Sequence, residues 1–237
     1  MSKNLLLEIG TEEMPANIMS GVVDQLRVLA ENAFGENRIS LKEITVYATP
    51  RRLAVLVKEA ADRQPDEEVK KRGPSIKAAF DEDGNPTRAA QGFARGQHID
   101  PSELIREGEY TWAHVVNEGK KIEDILPSLF TSLITGLNFT RSMRWADEEA
   151  RFIRPIRWIV ALCGSEVVPM EFAHVKSGRI SRGHRFLCKE DVTIESPENY
   201  KETMRKAFVI VDQDERRDMI RKGLLAKAEE LGGNVWH

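Results

Sequence analysis

In "VYATPRRLAVLV", residues Val46 to Val57, two apolar runs flank Thr49-Pro50-Arg51-Arg52. The runs Glu43–Ala48 and Leu53–Glu59 are aliphatic or β-branched with a rough period of two, the pattern of strands. So short a join pairs them as adjacent strands. Pro50 fixes φ and removes a backbone donor, which puts the join at a bend or sheet edge. Arg51 and Arg52 are therefore expected to project from a rim.

Upstream, Leu5–Ile9 reads as a buried strand broken by "GTEEMP". Gly10 permits the turn, Thr11 or Glu12 can satisfy the free amides of a following helix, and Pro15 suits a first helical turn. Ile18, Val22, Leu26, Leu29 and Ala33 recur at helical spacing, which predicts an amphipathic helix from Pro15 to about Phe34, closed by Gly35.

Downstream, residues 61–108 are polar, charged and rich in turn formers. They predict a short strand ending at Lys70-Lys71-Arg72-Gly73-Pro74, a Gly84-Asn85 turn, and a helix from Thr87 to near Gly96. We expect an exposed insertion with little core of its own. Glu109–Asn117 alternates as a strand, and Ile122, Ile125, Leu126, Leu129, Leu133 and Leu137 mark a helix with Pro127 near its start. Trp158–Leu162 and Val167–Phe172 predict a hairpin across Gly164-Ser165, the firmest strands of the chain. Asp191–Glu195 is a further strand, a helix opens at Pro197, and "VIVD" (209–212) returns as a strand. A last helix from near Asp212 is expected to bury Met219, Ile220, Leu224, Ala228 and Leu231 and to stop at Gly232-Gly233. "NVWH" begins a new apolar element as the sequence ends, which suggests a cut between domains. The fold class is α+β: mixed, largely antiparallel sheets with packed helices. Residues 1–60 and 109–237 form the core and 61–108 the polar insertion.

At 237 residues, with 41% hydrophobic and 31% charged residues, the chain can bury a real core without staples. No apolar run approaches a membrane span, and the opening apolar segment is too short for a signal peptide, so a cytoplasmic protein is expected. Cys163 and Cys188 make neither a disulfide framework nor a zinc site and read as buried thiols. A net charge of −3 excludes a uniformly basic module, but Arg141–Arg185 holds nine basic and five acidic residues, a local +4 that leaves −7 elsewhere.

Motifs for common chemistries are missing. There is no phosphate-binding glycine loop. "DEDG" at Asp81–Gly84 lacks the later ligands of a calcium loop and reads as a turn. The five histidines show no metal-ligand spacing, and no elbow exposes a nucleophile. Glu12 and Glu13 do not converge on one atom and suit a helix entrance better than acid–base work. No catalytic or metal residue is assigned. What stands out is arginine: "RSMRW", "RFIRPIRW" and "KSGRISRGHRF" space basic residues three apart among Trp145, Phe152, Trp158 and Phe186. The aromatics are expected to enter the core while guanidiniums face solvent, where they suit phosphate. Arg141, Arg144, Arg154, Arg157, Arg179, Arg182 and Arg185 lead this set; Arg51, Arg52, Lys70, Lys71, Arg72 and Arg95 form a second. Surface ion pairs with neighbouring acids are the plainer alternative.

Seven blocks in register, "LLLEIGTEEMP", "YATPRRLAVLV", "KRGPSIKAAFDEDGNPTRAAQGFARG", "RSMRW", "RFIRPIRWIVALCGSEVVPMEF", "SGRISRGHRF" and "VIVDQDERRDMI", resemble the N-terminal part of the β subunit of bacterial glycyl-tRNA synthetases. The resemblance implies an α2β2 ligase that attaches glycine to tRNA, with ATP and magnesium at the α subunit and no cofactor in this region. It implies the α subunit and tRNA(Gly) as partners, HD-like and anticodon-binding domains beyond this region, a B3/4-like module within it, and no activity from the region alone. The arginines would meet either tRNA phosphates or an acidic patch on the α subunit. No editing residues carry over.

Overall fold

The computed structural model describes residues 2–145 and 150–235. It divides into two units: the residues up to Asp62 together with those from Lys121, and Arg63–Lys120. Its first elements are β1 (Ser2–Thr11), α1 (Met19–Glu36), β2 (Glu43–Thr49), β3 (Arg52–Ala61), β4 (Glu67–Ser75), α2 (Ile76–Ala79), α3 (Arg88–Gly96), β5 (Ile105–Glu107) and β6 (Tyr110–Asn117). There follow α4 (Ile122–Thr135), β7 (Ile156–Cys163), β8 (Glu166–Val167), β9 (Glu171–Phe172), β10 (Val175–Gly178), β11 (Ile180–Arg182), β12 (Asp191–Thr193), α5 (Tyr200–Lys206) and α6 (Gln213–Glu230). The class is α+β, as the sequence pattern requires.

The larger unit is built on a sheet in the order β2-β3-β1-β7-β10-β9, with β8 on β7. All of its pairings are antiparallel except β10 with β7. β2 and β3 pair across the TPRR join, Thr49 opposite Arg52. Side chains alternate along a strand, so Leu5, Leu7 and Ile9 of β1 face α1 and α4 in one core. Leu6, Glu8 and Gly10 face the other way, where Leu6 joins Val192, Ile194, Tyr200, Met204 and Val211 in a second core. With both faces covered, the central strands read as unbroken apolar runs.

Several elements depart from expectation. The helix after β1 starts with a 3-10 turn at Ala16–Ile18, runs on through Gly35 to Glu36, and has no side-chain cap. Thr11 Oγ1 is buried and without a hydrogen-bond partner among the described residues, and Glu12 is drawn instead to Arg157. The hairpin after Gly164 lasts only two residues in β8: the Val168 N–H still donates to the Ala161 carbonyl at 2.9 Å, but the Val168 carbonyl accepts from Ser177 Oγ at 2.7 Å and the Met170 N–H donates to the same oxygen at 2.9 Å, which draws the strand off β7. "VIVD" is not a strand. Phe208 closes α5 in the left-handed region (φ 61°), and the run lies across the second core with Val211 buried. Most sharply, α6 buries none of its residues: Met219, Ile220 and Leu224 are exposed, Ala228 is half-buried, and Leu231, just past its end, is exposed. Cys163 is buried, but Cys188 is only half-buried. The element expected at "NVWH" falls partly outside the described residues. Among those described, no helix is long and apolar enough to cross a membrane.

The smaller unit is the sheet β4-β6-β5 with α2 and α3. It has a core of its own, Ala79, Ala90, Ala94, Leu104 and Ala113 with Phe80 and Phe93. It extends to Lys120 rather than Gly108, because among the described residues β6 pairs only with β4 and β5. Gly84 supplies the positive φ of 83° for the turn after Asp81.

Candidate nucleic-acid interface

The site starts from a charge inside the protein. Glu8 is fully buried, in register with Ala54 of β3 and Val160 of β7. Its carboxylate accepts hydrogen bonds from Trp158 Nε1 (2.5 Å), Ser181 Oγ (2.5 Å) and the Tyr200 hydroxyl. Arg52, only 2% exposed, approaches Glu8 at 4.0 Å, and its guanidinium donates to the Arg182 carbonyl at 2.5 Å. Burial pushes the Tyr200 hydroxyl well above its usual pKa, and the Glu8 charge adds to that. Arg52 therefore does not project from a rim. It is a buried counter-ion that ties β3 to β11.

Trp158 lies over β1, where a Cβ on Gly10 would fall within 1.9 Å of its ring. Gly10 is needed for that approach and not for a turn. The Arg51, Arg52 and Arg182 guanidiniums stand 5.6–5.7 Å from the Trp158 ring centroid, within cation–π range. Arg51, Arg182, Arg185 and Lys189 line a hollow of about 430 Å³ with Glu190 and Asp191. An adjoining hollow of about 440 Å³ is lined by Arg51, Arg185, Phe186, Phe208 and Arg216, with Glu13 at its edge. Partial burial lowers the Arg51 pKa, nearby Glu12 opposes this, and Arg185 adds to it.

A short loop shapes the wall. Gly183 has no room for a Cβ, which would meet the Cys188 side chain at 2.6 Å and the Ala207 carbonyl at 2.9 Å. The His184 ring accepts the Phe186 and Leu187 amides through Nδ1 at 3.2 and 3.3 Å, closing a tight turn. Phe186 stands at its tip, 75% exposed. This overturns its expected place in the core, whereas Phe152 and Trp158 are buried as expected.

Among the expected contact residues, Arg51, Arg182 and Arg185 come together from distant parts of the chain, with Arg52 behind them. Arg154 and Arg157 are exposed and held by the acidic entrance: Arg154 donates to the Glu13 carbonyl at 3.0 Å and Arg157 pairs with Glu12 at 3.3 Å. Glu12 and Glu13 thus screen arginines, Glu13 pairing with Arg185 at 3.3 Å. Arg179 is directed to Glu195 and the Ser165 carbonyl, away from the groove. Arg141 and Arg144 are exposed and line neither hollow. Lys70, Lys71, Arg72 and Arg95 belong to the smaller unit, where Lys70 pairs with Glu107 and Arg72 lies 4.7 Å from the Tyr110 ring centroid. Lys189, Arg216 and Phe208 were not singled out in the sequence. Lys189 lies just past the arginine-rich segment, Arg216 reads as one more helix-surface cation, and Phe208 has no periodic partner. The arrangement offers several fixed donors on a concave wall with exposed π-faces, which suits anions and bases.

A family model described as glycyl-tRNA synthetase beta subunit matches residues 5–237. The chain is similar to the "Glycine--tRNA ligase beta subunit" of Desulfitobacterium hafniense strain DCB-2, 48% identical over 99% of this chain and 34% of the relative. It is also similar to proteins of the same description from Natranaerobius thermophilus, at 45% over 99% of this chain, and Halothermothrix orenii, at 41% over 98%, each covered to 34%. The chain spans about a third of the length of these curated relatives.

Proposed function

The chain belongs to the glycyl-tRNA synthetase beta subunit family, and we propose that it handles tRNA for an α2β2 glycine–tRNA ligase of the cytoplasm through the groove beside Trp158. In this reading the complete ligase joins glycine to tRNA(Gly) with ATP. ATP and magnesium bind at the α subunit, and this chain's residues bind and orient the RNA. The observation that supports it is the meeting of Arg51, Arg182, Arg185 and Lys189 in one hollow. Arg182 has no carboxylate partner among the described residues, and the exposed Arg185–Glu13 pair is worth at most about 1 kcal/mol, so a phosphate can displace it. The buried Glu8–Arg52 pair holds β3 and β11 in place and so fixes the backbone that carries Arg51 and Arg182.

The test is tRNA binding by the assembled α2β2 complex across a salt series. Arg182→Gln with Arg185→Gln should flatten the slope of log affinity against log salt by about 0.7 to 0.9 per lost phosphate contact. An unchanged slope, with α-subunit binding weakened instead, would replace RNA handling by a pure protein-docking role. Subunit assembly is the other half of the proposal, favoured by the uncovered apolar residues of α6. Cross-linking from α6 positions to the α subunit checks it.

A further inference from the structure

We infer that the groove receives an unpaired stretch of RNA, with a base stacked on Phe186 and Phe208 and the neighbouring phosphates on Arg51, Arg182 and Arg185. The inference rests on the RNA-handling reading above and narrows it to single strands.

Two aromatic rings line the same hollow as Arg51 and Arg185, and both are set out in the solvent, Phe186 at 75% and Phe208 at 59% exposure. Each is held there by its backbone. The hydrogen bonds donated by the Phe186 and Leu187 N–H groups to His184 Nδ1 fix the turn that lifts Phe186. Phe208 occupies the left-handed region at φ 61°, anchored by its N–H to the Arg205 carbonyl at 3.0 Å. That conformation costs energy for a bulky residue and draws attention to the position. An exposed aromatic beside guanidiniums suits a nucleobase face, and bases of a duplex already stack on one another. Within a duplex both faces of each interior base are taken, whereas an unpaired base has a free face to offer. Arg185 lies 5.9 Å from the Phe186 ring centroid, so one residue pair can serve a base and its phosphate. The buried Nε of Arg51 has no hydrogen-bond partner among the described residues. Glu13, Glu190 and Asp191, on the walls of the hollows, confine the backbone to the arginine side.

The experiment compares a fluorescently labelled oligoadenylate of about eight nucleotides, within the site size of such surfaces, with a blunt RNA duplex of equal phosphate number. Both are titrated against the full-length β subunit assembled with its α subunit. Phe186→Ala should weaken single-strand binding about tenfold and leave the salt slope unchanged, while Phe186→Trp restores affinity. Arg185→Gln should flatten the slope instead. Phe186 is exposed, so an unaltered melting curve will show that folding is intact. Equal binding of duplex and single strand, with Phe186→Ala silent but the arginine variants weakened, overturns this inference and leaves the RNA reading standing. RNA binding indifferent to Arg182 and Arg185 sinks both. Loss of α-subunit affinity in Phe186→Ala, with RNA binding intact, overturns the inference in favour of a protein contact.

Discussion

Glu8 sits in "LLLEIG", an acid in a run that otherwise belongs to the core. A carboxylate there is tolerable only because three donors and Arg52 surround it. Removing it strands the Arg52 charge, so Glu8→Ala should lower stability by about 3–5 kcal/mol in urea denaturation. Tyr200→Phe, which deletes one donor, should cost about 1–2 kcal/mol. The pairing follows from period two once β1 lies beside β3: Gly10 opposes Arg52, so residues 8 and 52 share a face of the sheet. What hid it was the absence of any local signal that this face is covered, since the covering residues lie some 150–200 positions away. Burial acts on Cys163 in the same way, pushing its thiol up to about 11. It should resist iodoacetamide at pH 8 until the protein unfolds, while half-buried Cys188 is modified first; peptide mapping distinguishes the two.

Among the elements, hairpin and helix periodicity were legible wherever local chemistry decides, as in β2–β3, α3 and α4. They failed where a distant partner decides. α6 has helical spacing, but nothing in its sequence says whether its apolar side is covered, and it is not. Its start is held by Asp212, whose carboxylate accepts the Asp214 and Glu215 amides and the Lys201 ammonium. Burial pushes this carboxyl up, but Lys201 and the helix amides outweigh it and hold it below the usual range. Lys201 is raised, chiefly by its bond to Asp212. A depressed carboxyl stabilises above its unfolded pKa and loses that contribution as pH falls through the folded value. A raised lysine contributes fully below its unfolded pKa and loses its share as pH rises through the folded one. The first turn of α6 should therefore loosen below about pH 4 and again in the alkaline range. Hydrogen exchange at the Asp214 and Glu215 amides reads the acid limb. Asp212→Ala should remove it and cost about 0.5–2 kcal/mol of helix stability.

At the scale of the molecule, the composition change after Ala61 points to a polar stretch ending at Gly108, whereas the compact unit runs from Arg63 to Lys120. The alternation of Glu109–Asn117 is that of any half-buried strand, and the strands it pairs with, β4 and β5, lie inside the insertion. The larger unit closes without it: Ile122 N–H donates to the Asp62 carbonyl at 2.9 Å, so the chain leaves and re-enters at adjacent points. A short connection can bridge that gap, because loop closure becomes cheaper as the loop shortens. Replacing residues 63–120 with three or four glycines, about the length of a tight turn, should leave a unit that unfolds in one cooperative transition. Its urea m-value should fall in rough proportion to the surface removed, since m follows the area exposed on unfolding. A non-cooperative transition would show that the two cores, separate in their residues, depend on each other for stability. If the excised protein also keeps the salt slope set by Arg182 and Arg185, the groove owes nothing to Lys70, Lys71, Arg72 or Arg95.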